Sequence, residues 1–238
     1  MMNAAFAEVG LDWRYLHLPI APELFAETVR ALPVSGYRGA NVTIPHKLAA
    51  HDVADELTPA AAAIGAVNTL TFESQGRIVG DNTDAGGFLD ALGMDPAGLR
   101  ALVLGAGGAA RAVVWALREA GAEVAVCNRT WRRAVELAEE FGVRAVKLGE
   151  ASDILVNATS VGMGAKEPAE SLPLAPAGLV VDLVYGTEPT PLYRWAQAQG
   201  SRVVDGLEML VRQGARSFEL WTSRPAPLDT MRAAARSV

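Results

Sequence analysis

The stretch Leu102-Val103-Leu104-Gly105-Ala106-Gly107-Gly108-Ala109-Ala110 reads as a short buried strand, a tight glycine turn and the first turn of a helix. It fits the pattern G-x-G-x-x-A. In this pattern the first glycine permits the turn, the second lets the backbone approach a pyrophosphate, and the last small residue lets helix and strand pack closely. The helix N-terminus adds free amides and a positive dipole. A ligand-free turn can carry the same glycines, but the flanking strand and helix favour dinucleotide binding.

The residues at the end of the next predicted strand indicate which nucleotide cofactor the fold binds. Folds that prefer NAD usually carry an acidic residue about 20 residues beyond the turn, which holds the ribose 2′-hydroxyl. This chain has Asn128-Arg129-Thr130 instead, with Arg132 and Arg133 just after. A guanidinium can bind a 2′-phosphate through paired, charge-assisted hydrogen bonds. The alternative is a solvated helix start, which is disfavoured because cations oppose the dipole there. We therefore predict NADP(H) as the cofactor.

The composition excludes several classes of protein. The chain has 238 residues, half of them hydrophobic and a fifth charged, which is ordinary for a well-packed protein of one or two domains. The formal net charge of -6 argues against nucleic acid as the main partner. The single cysteine, Cys127, and three scattered histidines predict neither a disulfide nor a metal site. The chain has no apolar stretch of about 20 residues and no secretory signal, so we expect no membrane span and a cytoplasmic location.

Apolar runs alternate with helical patterns along the chain, which predicts an α/β protein with mainly parallel sheets. The segment Met94–Arg100 contains Asp-Pro and Gly and has no clear period, so the domain boundary is placed there. The prediction is an N-terminal α/β substrate domain with a mainly parallel sheet over residues 1–98, completed by C-terminal helices at 207–238. A Rossmann-like NADP-binding domain spans residues 99–206.

The periodicity also predicts individual elements. Those of the first domain are a strand at Trp13–Pro19, a helix at Pro22–Leu32, a strand at Gly39–Ile44, a helix around His46–Leu57, a hairpin of Val67–Phe72 with Ile78–Gly80, and a helix from Asp84 to about Leu92. The Asp84 carboxylate is expected to serve as the N-cap of that helix. Those of the second domain include strands at Val124–Val126, Ile154–Ala158 and Val180–Val184, and helices at Arg111–Ala120, Trp131–Phe141 and Pro191–Gln199.

Three polar clusters follow predicted strands of the first domain. They span Asn41–Lys47, Gly65–Thr69 and Gly80–Asp84. Each cluster alone is more typical of a turn or a helix cap than of a binding site. Ligands of open α/β sheets bind beyond the carboxyl ends of strands, so the clusters could converge on one crevice. Together they offer amide, hydroxyl, ammonium and carboxylate groups, which suit a small polyhydroxylated substrate.

These segments resemble the shikimate dehydrogenase family, and they occur in the family's order between Asn3 and about Trp221. The motifs are Asn-Val-Thr-Ile-Pro-His-Lys at 41–47, Gly-Ala-Val-Asn-Thr at 65–69, Asp-Asn-Thr-Asp-Ala-Gly-Gly-Phe at 81–88, Gly-Ala-Gly-Gly-Ala-Ala-Arg at 105–111, Asn-Arg-Thr at 128–130, Asn-Ala-Thr-Ser-Val-Gly-Met at 157–163 and Gly-Leu-Glu-Met-Leu-Val-Arg-Gln-Gly-Ala at 206–215. Methylenetetrahydrofolate dehydrogenases, which also combine a lysine with a Rossmann domain, do not share this set.

The resemblance implies reversible, NADPH-dependent reduction of 3-dehydroshikimate to shikimate in aromatic amino-acid biosynthesis. It makes Lys47 the catalytic lysine and Asp84 its partner. It implies substrate contacts from Asn41, Thr43, Asn68, Tyr185 and Gln213. On the cofactor side it implies Gly105, Ala106, Gly107, Gly108, Ala109, Ala110, Asn128, Arg129, Thr130, Arg133, Leu183 and Gly206. His46 is expected to have a structural role, because its side chain and that of the adjacent Lys47 point in different directions. The formation of a homodimer is left open.

The chain departs from the family at its start. The family opens with a strand, internal to the first sheet, and a Ser-x-Ser segment that binds the substrate carboxylate; here the match starts at Met1-Met2-Asn3-Ala4-Ala5-Phe6, with Met2 where histidine is usual. A start encoded further upstream or a truncated chain would explain this, and the intact remaining motifs favour these two explanations. A noncatalytic NADP-binding relative is the third. The enzyme alternative is a quinate/shikimate dehydrogenase that also uses NAD, against which the arginines argue.

Overall fold

The computed structural model describes residues 1–162, 173–186 and 188–237, so the Met163 end of the 157–163 motif lies outside the described residues. The chain forms two compact units. One unit contains Met1–Gly87 and Val211–Ser237, and the other contains Phe88–Leu210. The units are therefore divided at Gly87, whereas the sequence placed the boundary at residue 98.

Helices and strands alternate along most of the chain, and the α/β class is confirmed. The helices are α1 (Met2–Glu8), α2 (Phe25–Ala31), α3 (Lys47–Val53), α4 (Pro59–Ile64), α5 (Thr83–Leu92), α6 (Gly108–Glu119), α7 (Trp131–Phe141), α8 (Pro191–Ala198), α9 (Gly206–Thr222) and α10 (Leu228–Arg236). The strands are β1 (Gly39–Asn41), β2 (Glu56–Leu57), β3 (Thr69–Phe72), β4 (Ile78–Asp81), β5 (Arg100–Leu104), β6 (Glu123–Cys127), β7 (Arg144–Ala145), β8 (Ile154–Asn157), β9 (Leu179–Asp182) and β10 (Arg202–Val204). No helix in the described ranges is long and apolar enough to cross a membrane.

The sheet of the first unit has the strand order β1-β3-β4-β2. The prediction that it is mainly parallel was wrong, because the β1–β3 and β3–β4 ladders are antiparallel and the short β2–β4 ladder is parallel. The predicted hairpin explains the difference: β3 and β4 follow each other across a short turn, with Thr69 opposite Asp81 and Phe72 opposite Ile78. Strands joined this closely can pair only in antiparallel fashion.

The strand predicted at Trp13–Pro19 was also wrong, because those residues form no regular element. Tyr15 instead pairs with a side chain. The Tyr15 N–H donates to Oδ1 of Asn3 at 2.6 Å, and the Tyr15 carbonyl accepts from Nδ2 of Asn3 at 3.0 Å. A strand needs a neighbouring backbone to satisfy its polar groups, and the alternation of side chains in the sequence does not reveal whether one is present.

Helix α5 begins one residue earlier than predicted, and this changes the role of its first residues. Oδ1 of Asn82 accepts from the N–H of Ala85 at 3.2 Å, which is the contact of an N-cap. The expected cap, Asp84, lies instead in the first turn of α5. Its carboxylate is therefore available for other partners.

The second unit contains a six-stranded sheet of order β10-β9-β8-β5-β6-β7. All of its ladders are parallel, so the predicted parallel Rossmann-like sheet is confirmed. The chain runs outward from β5 through β6 to β7, and then resumes at β8 on the other side of β5. In such sheets the position where the strand order reverses, here between β5 and β8, is where ligands bind.

Candidate active site

A buried ion pair in the first unit contains Lys47, which is the first residue of α3. Its Nζ lies 2.5 Å from Oδ2 of Asp84. Only 13% of the lysine side chain and 8% of the aspartate side chain are exposed. Coulomb attraction is weakly screened at such a site, so the two groups hold each other strongly.

The amide of Asn68 organises the other side of this pair. Its Nδ2 donates to Oδ1 of Asp84 at 2.9 Å and to Oε1 of Gln213 at 3.2 Å. Its Oδ1 accepts from the N–H of Thr83 at 2.7 Å, and Asn68 is only 2% exposed. Each oxygen of the Asp84 carboxylate thus has its own donor, Lys47 on one and Asn68 on the other. Asn68 therefore fixes the orientation of the carboxylate that faces the lysine.

A buried cluster of hydroxyl groups continues this network. Oγ of Ser217 lies 2.9 Å from Oγ1 of Thr69 and 3.1 Å from Oγ1 of Thr83, and it accepts from Nδ2 of Asn41 at 2.8 Å. The hydroxyl of Tyr15 donates to Oδ1 of Asn41 at 3.1 Å. No motif in the sequence predicted a role for Ser217. The available signal was its position one helical turn after Gln213, on the same face of α9.

The remaining residues implied as substrate contacts are placed differently. Thr43 is exposed in the turn before α3, where its carbonyl accepts the N–H of His46 at 2.9 Å. Tyr185 belongs to the second unit and is 54% exposed. The His46 ring stacks on Phe25 with centroids 4.6 Å apart, and its Nε2 lies 3.0 Å from the carbonyl oxygen of Ile20. These contacts agree with a structural role for His46.

The two leading glycines of the turn after β5 differ in what requires them. Gly105 has φ +119°, and a Cβ atom there would lie 2.8 Å from the carbonyl oxygen of Ala158, so the fold itself requires glycine. Gly107 has φ -98°, which any residue adopts, and a Cβ atom there would meet nothing within 4 Å. The space beside Gly107 is open at the N-terminus of α6. Ala110, at the end of the pattern, is fully buried.

Exposed arginines surround the N-terminus of α7. Its first turn contains no acidic residue. Nε of Arg132 lies 2.7 Å from Oε1 of Glu136, whereas Arg129 and Arg133 form no ion pair within the described ranges. Nδ2 of Asn128 donates to the carbonyl of Thr130 at 3.0 Å, which shapes the loop that carries Arg129. Two uncompensated cations therefore lie near a helix N-terminus that itself favours anions.

A second buried network lies at the carboxyl ends of β8 and β9. Asp182 is 1% exposed and accepts hydrogen bonds from the Thr190 hydroxyl, the Asn157 amide and the Val184 N–H. Burial raises the pKa of the Asp182 carboxyl above its usual value, and these three donors oppose the rise. The Leu183 N–H donates to the carbonyl of Asn157 at 3.0 Å. No motif in the sequence predicted a role for Asp182.

Three family models match the chain. The shikimate dehydrogenase substrate binding domain matches residues 1–70, the shikimate / quinate 5-dehydrogenase model residues 91–168, and the shikimate 5′-dehydrogenase C-terminal domain residues 206–236. Together they lie on both units of the fold.

Individual relatives match over nearly the whole chain. The shikimate dehydrogenase (NADP(+)) of Methanopyrus kandleri is 45% identical over 98% of this chain and 88% of its own length. That of Moorella thermoacetica is 43% identical over 97% and 85%. The crystal structure of Thermus thermophilus shikimate 5-dehydrogenase with NADP(H) and shikimate aligns with a TM-score of 0.90, at 45% identity, over 99% of this chain and 92% of that one.

Proposed function

This chain belongs to the shikimate dehydrogenase family, and from that premise we propose that it catalyses the reversible, NADPH-dependent reduction of 3-dehydroshikimate to shikimate. The observation that carries the proposal is the Lys47–Asp84 pair, which is buried, 2.5 Å apart and oriented by Asn68. A lysine held in this way can work as a general acid and base. It supplies the proton chemistry that reduction of a ketone to an alcohol requires.

In the reduction, bound NADPH would supply the hydride that adds to the ketone carbon. Negative charge then grows on the carbonyl oxygen. Lys47 stabilises that charge and donates an Nζ proton to the oxygen, which completes the alcohol and leaves a neutral amine that regains a proton from water. In the reverse direction the neutral amine of Lys47 accepts the hydroxyl proton. Asp84 holds the lysine in place, and Asn68 holds Asp84.

The substrate side is built from amides and hydroxyls. One hydrogen-bond network connects Asn41, Asn68 and Gln213. Thr43 follows Asn41 by two residues and lies in the exposed turn before α3. Amides both donate and accept hydrogen bonds, so they suit a ligand that carries several hydroxyl groups. We assign Asn41, Thr43, Asn68 and Gln213 to the substrate hydroxyls, and Tyr185 of the second unit to the substrate as well.

The residues of the second unit fit NADP. The open space at Gly107 lies at the N-terminus of α6, where a pyrophosphate would be met by free amides. Arg129 and Arg133 are exposed cations that would bind the 2′-phosphate, and Asn128 and Thr130 shape their loop. Leu183 and Gly206 complete the cofactor side. A cytoplasmic location and a homodimer remain predictions.

The direct test is an absorbance assay of NADPH formation from shikimate and NADP, run beside quinate and beside NAD. We expect turnover with shikimate and NADP, and much slower turnover when either is replaced. Equal rates with quinate and NAD would favour a quinate/shikimate dehydrogenase. Binding of NADPH without any turnover of shikimate would contradict the proposal and favour a noncatalytic relative.

A further inference from the structure

Asp182 is a buried carboxylate that the proposed chemistry does not use. Its Oδ1 accepts from Nδ2 of Asn157 at 2.9 Å and from the N–H of Val184 at 3.1 Å. Its Oδ2 accepts from the hydroxyl of Thr190, which also caps α8 by accepting the N–H of Tyr193 at 3.0 Å. These donors are all neutral, so within the described part of the chain the buried carboxylate has its hydrogen bonds without a paired cation.

The Asn157 contact leads from Asp182 to the glycine turn. Oδ1 of Asn157 accepts from the N–H and the hydroxyl of Thr159 at 3.1 and 2.6 Å. This fixes the turn after β8, and that turn is the surface against which Gly105 packs. A Cβ atom at Gly105 would lie 2.8 Å from the Ala158 carbonyl oxygen and 3.3 Å from Cγ2 of Thr159. The position of the glycine turn thus depends on the turn that Asp182 holds through Asn157.

The Val184 contact leads from Asp182 to Leu183 and Gly206. By accepting the Val184 N–H, Asp182 sets the backbone just after β9. Gly206 packs directly on that backbone, because a Cβ atom there would lie 2.6 Å from the Leu183 carbonyl oxygen. One carboxylate therefore contacts the segments after β8 and after β9, and each of these segments packs against a glycine assigned above to the cofactor, Gly105 or Gly206.

We propose that Asp182 is a positioning residue of the NADP site. Its hydrogen bonds hold the turns after β8 and β9 in place at the same edge of the sheet as the glycine turn. The inference rests on the proposed function of the second unit as the NADP-binding unit. A fully satisfied buried polar network fixes one arrangement of its members, since any other arrangement leaves buried groups without partners. Asp182 accepts all of its hydrogen bonds, and an apolar residue there would release both turns.

The test compares Asp182→Ala with Asp182→Asn by titration of NADPH fluorescence. Asparagine keeps an oxygen for Asn157 and Val184, and its amide can donate to the Thr190 oxygen. We expect Asp182→Ala to raise the Kd for NADPH by about tenfold, the upper range for residues that act through a network, and Asp182→Asn to restore most of the affinity. In kinetic assays of Asp182→Ala, the KM for NADP should rise by a larger factor than the KM for shikimate at saturating NADP, which changes only as far as the neighbouring Tyr185 moves with Val184.

The first unit offers a matched control. Asp81 also accepts from the hydroxyl of a threonine that caps a helix, Thr58, at 2.8 Å. Asp81→Ala is expected to lower the melting temperature without changing the Kd for NADPH. If Asp182→Ala does not fold, Thr159→Val carries the test, because it removes the hydroxyl that donates to Oδ1 of Asn157, keeps the backbone N–H bond and leaves Asp182 intact; a smaller rise in the Kd for NADPH is expected.

The possible failures are distinguishable. Wild-type protein that does not bind NADPH would overturn the proposed function and this inference with it. Wild-type protein that binds NADPH, with unchanged affinity in Asp182→Ala or Thr159→Val, would overturn this inference alone. An equal loss of affinity in Asp182→Ala and Asp81→Ala would also overturn it, since it would show a general effect of destabilisation.

Discussion

The Nζ of Lys47 lies 2.5 Å from Oδ2 of Asp84, although 37 positions separate the two residues in the chain. The contact is possible because α3 begins with the lysine and the first turn of α5 carries the aspartate. Asn68 donates to the other carboxylate oxygen at 2.9 Å. The carboxylate is thus held from both sides, and it in turn holds the lysine that we propose as the proton donor.

Lys47→Ala should lower kcat for shikimate oxidation by at least about a hundredfold with a modest change in KM, the usual scale for loss of a general acid or base. Steady-state kinetics with shikimate and NADP measure both constants. Lys147→Ala is the control, because that lysine is exposed in the second unit, and its kcat should equal that of the wild type. An unchanged kcat in Lys47→Ala would remove the lysine from the chemistry.

The arginines near α7 should divide into two classes. Arg129→Ala and Arg133→Ala should each raise the KM for NADP by about tenfold, since each would remove the charge-assisted contact proposed for the 2′-phosphate, and should leave the KM for NAD nearly unchanged. Arg132→Ala is the control, because Arg132 is already paired with Glu136 at 2.7 Å. A similar rise in all three variants would indicate a general electrostatic effect in place of a specific phosphate site.

Two glycine substitutions should separate folding from binding. Gly107→Ala should change the free energy of unfolding by no more than about 1 kcal/mol, the scale of an N-cap replacement, because the backbone is extended and the space is open. It should nevertheless weaken NADPH binding strongly, since the methyl group would occupy the place of the pyrophosphate. Gly105→Ala should destabilise the fold by about 1–3 kcal/mol, because alanine is strained at φ +119°. Unfolding in urea and NADPH titration of both variants check this, and unaltered NADPH binding in Gly107→Ala would place the pyrophosphate elsewhere.

Replacement by alanine should affect stability differently at Ser217 and at Ser201. Ser217→Ala removes a hydroxyl that contacts Asn41, Thr69 and Thr83. It should lower the free energy of unfolding by about 1–3 kcal/mol, because these buried polar groups lose a partner. Ser201→Ala removes a buried hydroxyl that has no partner among the described residues, so it should be neutral or stabilising. Urea unfolding at equilibrium measures both. Equal effects in the two variants would contradict the network.

Local patterns in the sequence predicted the second unit well. The helix predicted at Trp131–Phe141 has those bounds in the structure, and the predicted glycine turn lies between β5 and Gly108, the first residue of α6. These features depend on side-chain periodicity and glycine geometry, which a short stretch of sequence carries by itself. The family resemblance likewise pointed to Lys47 and Asp84, which the structure brings together.

Features that depend on distant partners were not predictable in this way. Trp13–Pro19 has the pattern of a strand, but the main chain of Tyr15 pairs with the Asn3 side chain. Ser217 forms hydrogen bonds with Thr69 and Asn41, which lie far before it in the sequence. Asp182 likewise accepts a hydrogen bond from Asn157. No short-range rule connects such positions, so a pairing of this kind appears only once the chain is folded.

The Arg100–Asp153 contact should make stability depend on pH in acid. Asp153 accepts from the Arg100 side chain at 3.0 and 3.2 Å and from its backbone N–H at 2.9 Å, and these bonds lower the pKa of the Asp153 carboxyl from its usual value of 3.8. Because the folded pKa lies below the unfolded value, the contribution is present above pH 3.8 and is lost as pH falls through the folded pKa.

Asp153→Asn should therefore be less stable than the wild type at neutral pH, and the difference should shrink as the pH falls below about 3.8. Urea unfolding of both proteins across that range measures the difference. Asp52→Asn is the control: its side chain is 82% exposed, and its effect at neutral pH should stay within about 0.5 kcal/mol. A wild-type advantage over Asp153→Asn that persists unchanged in acid would mean that the ionised carboxylate is not its source.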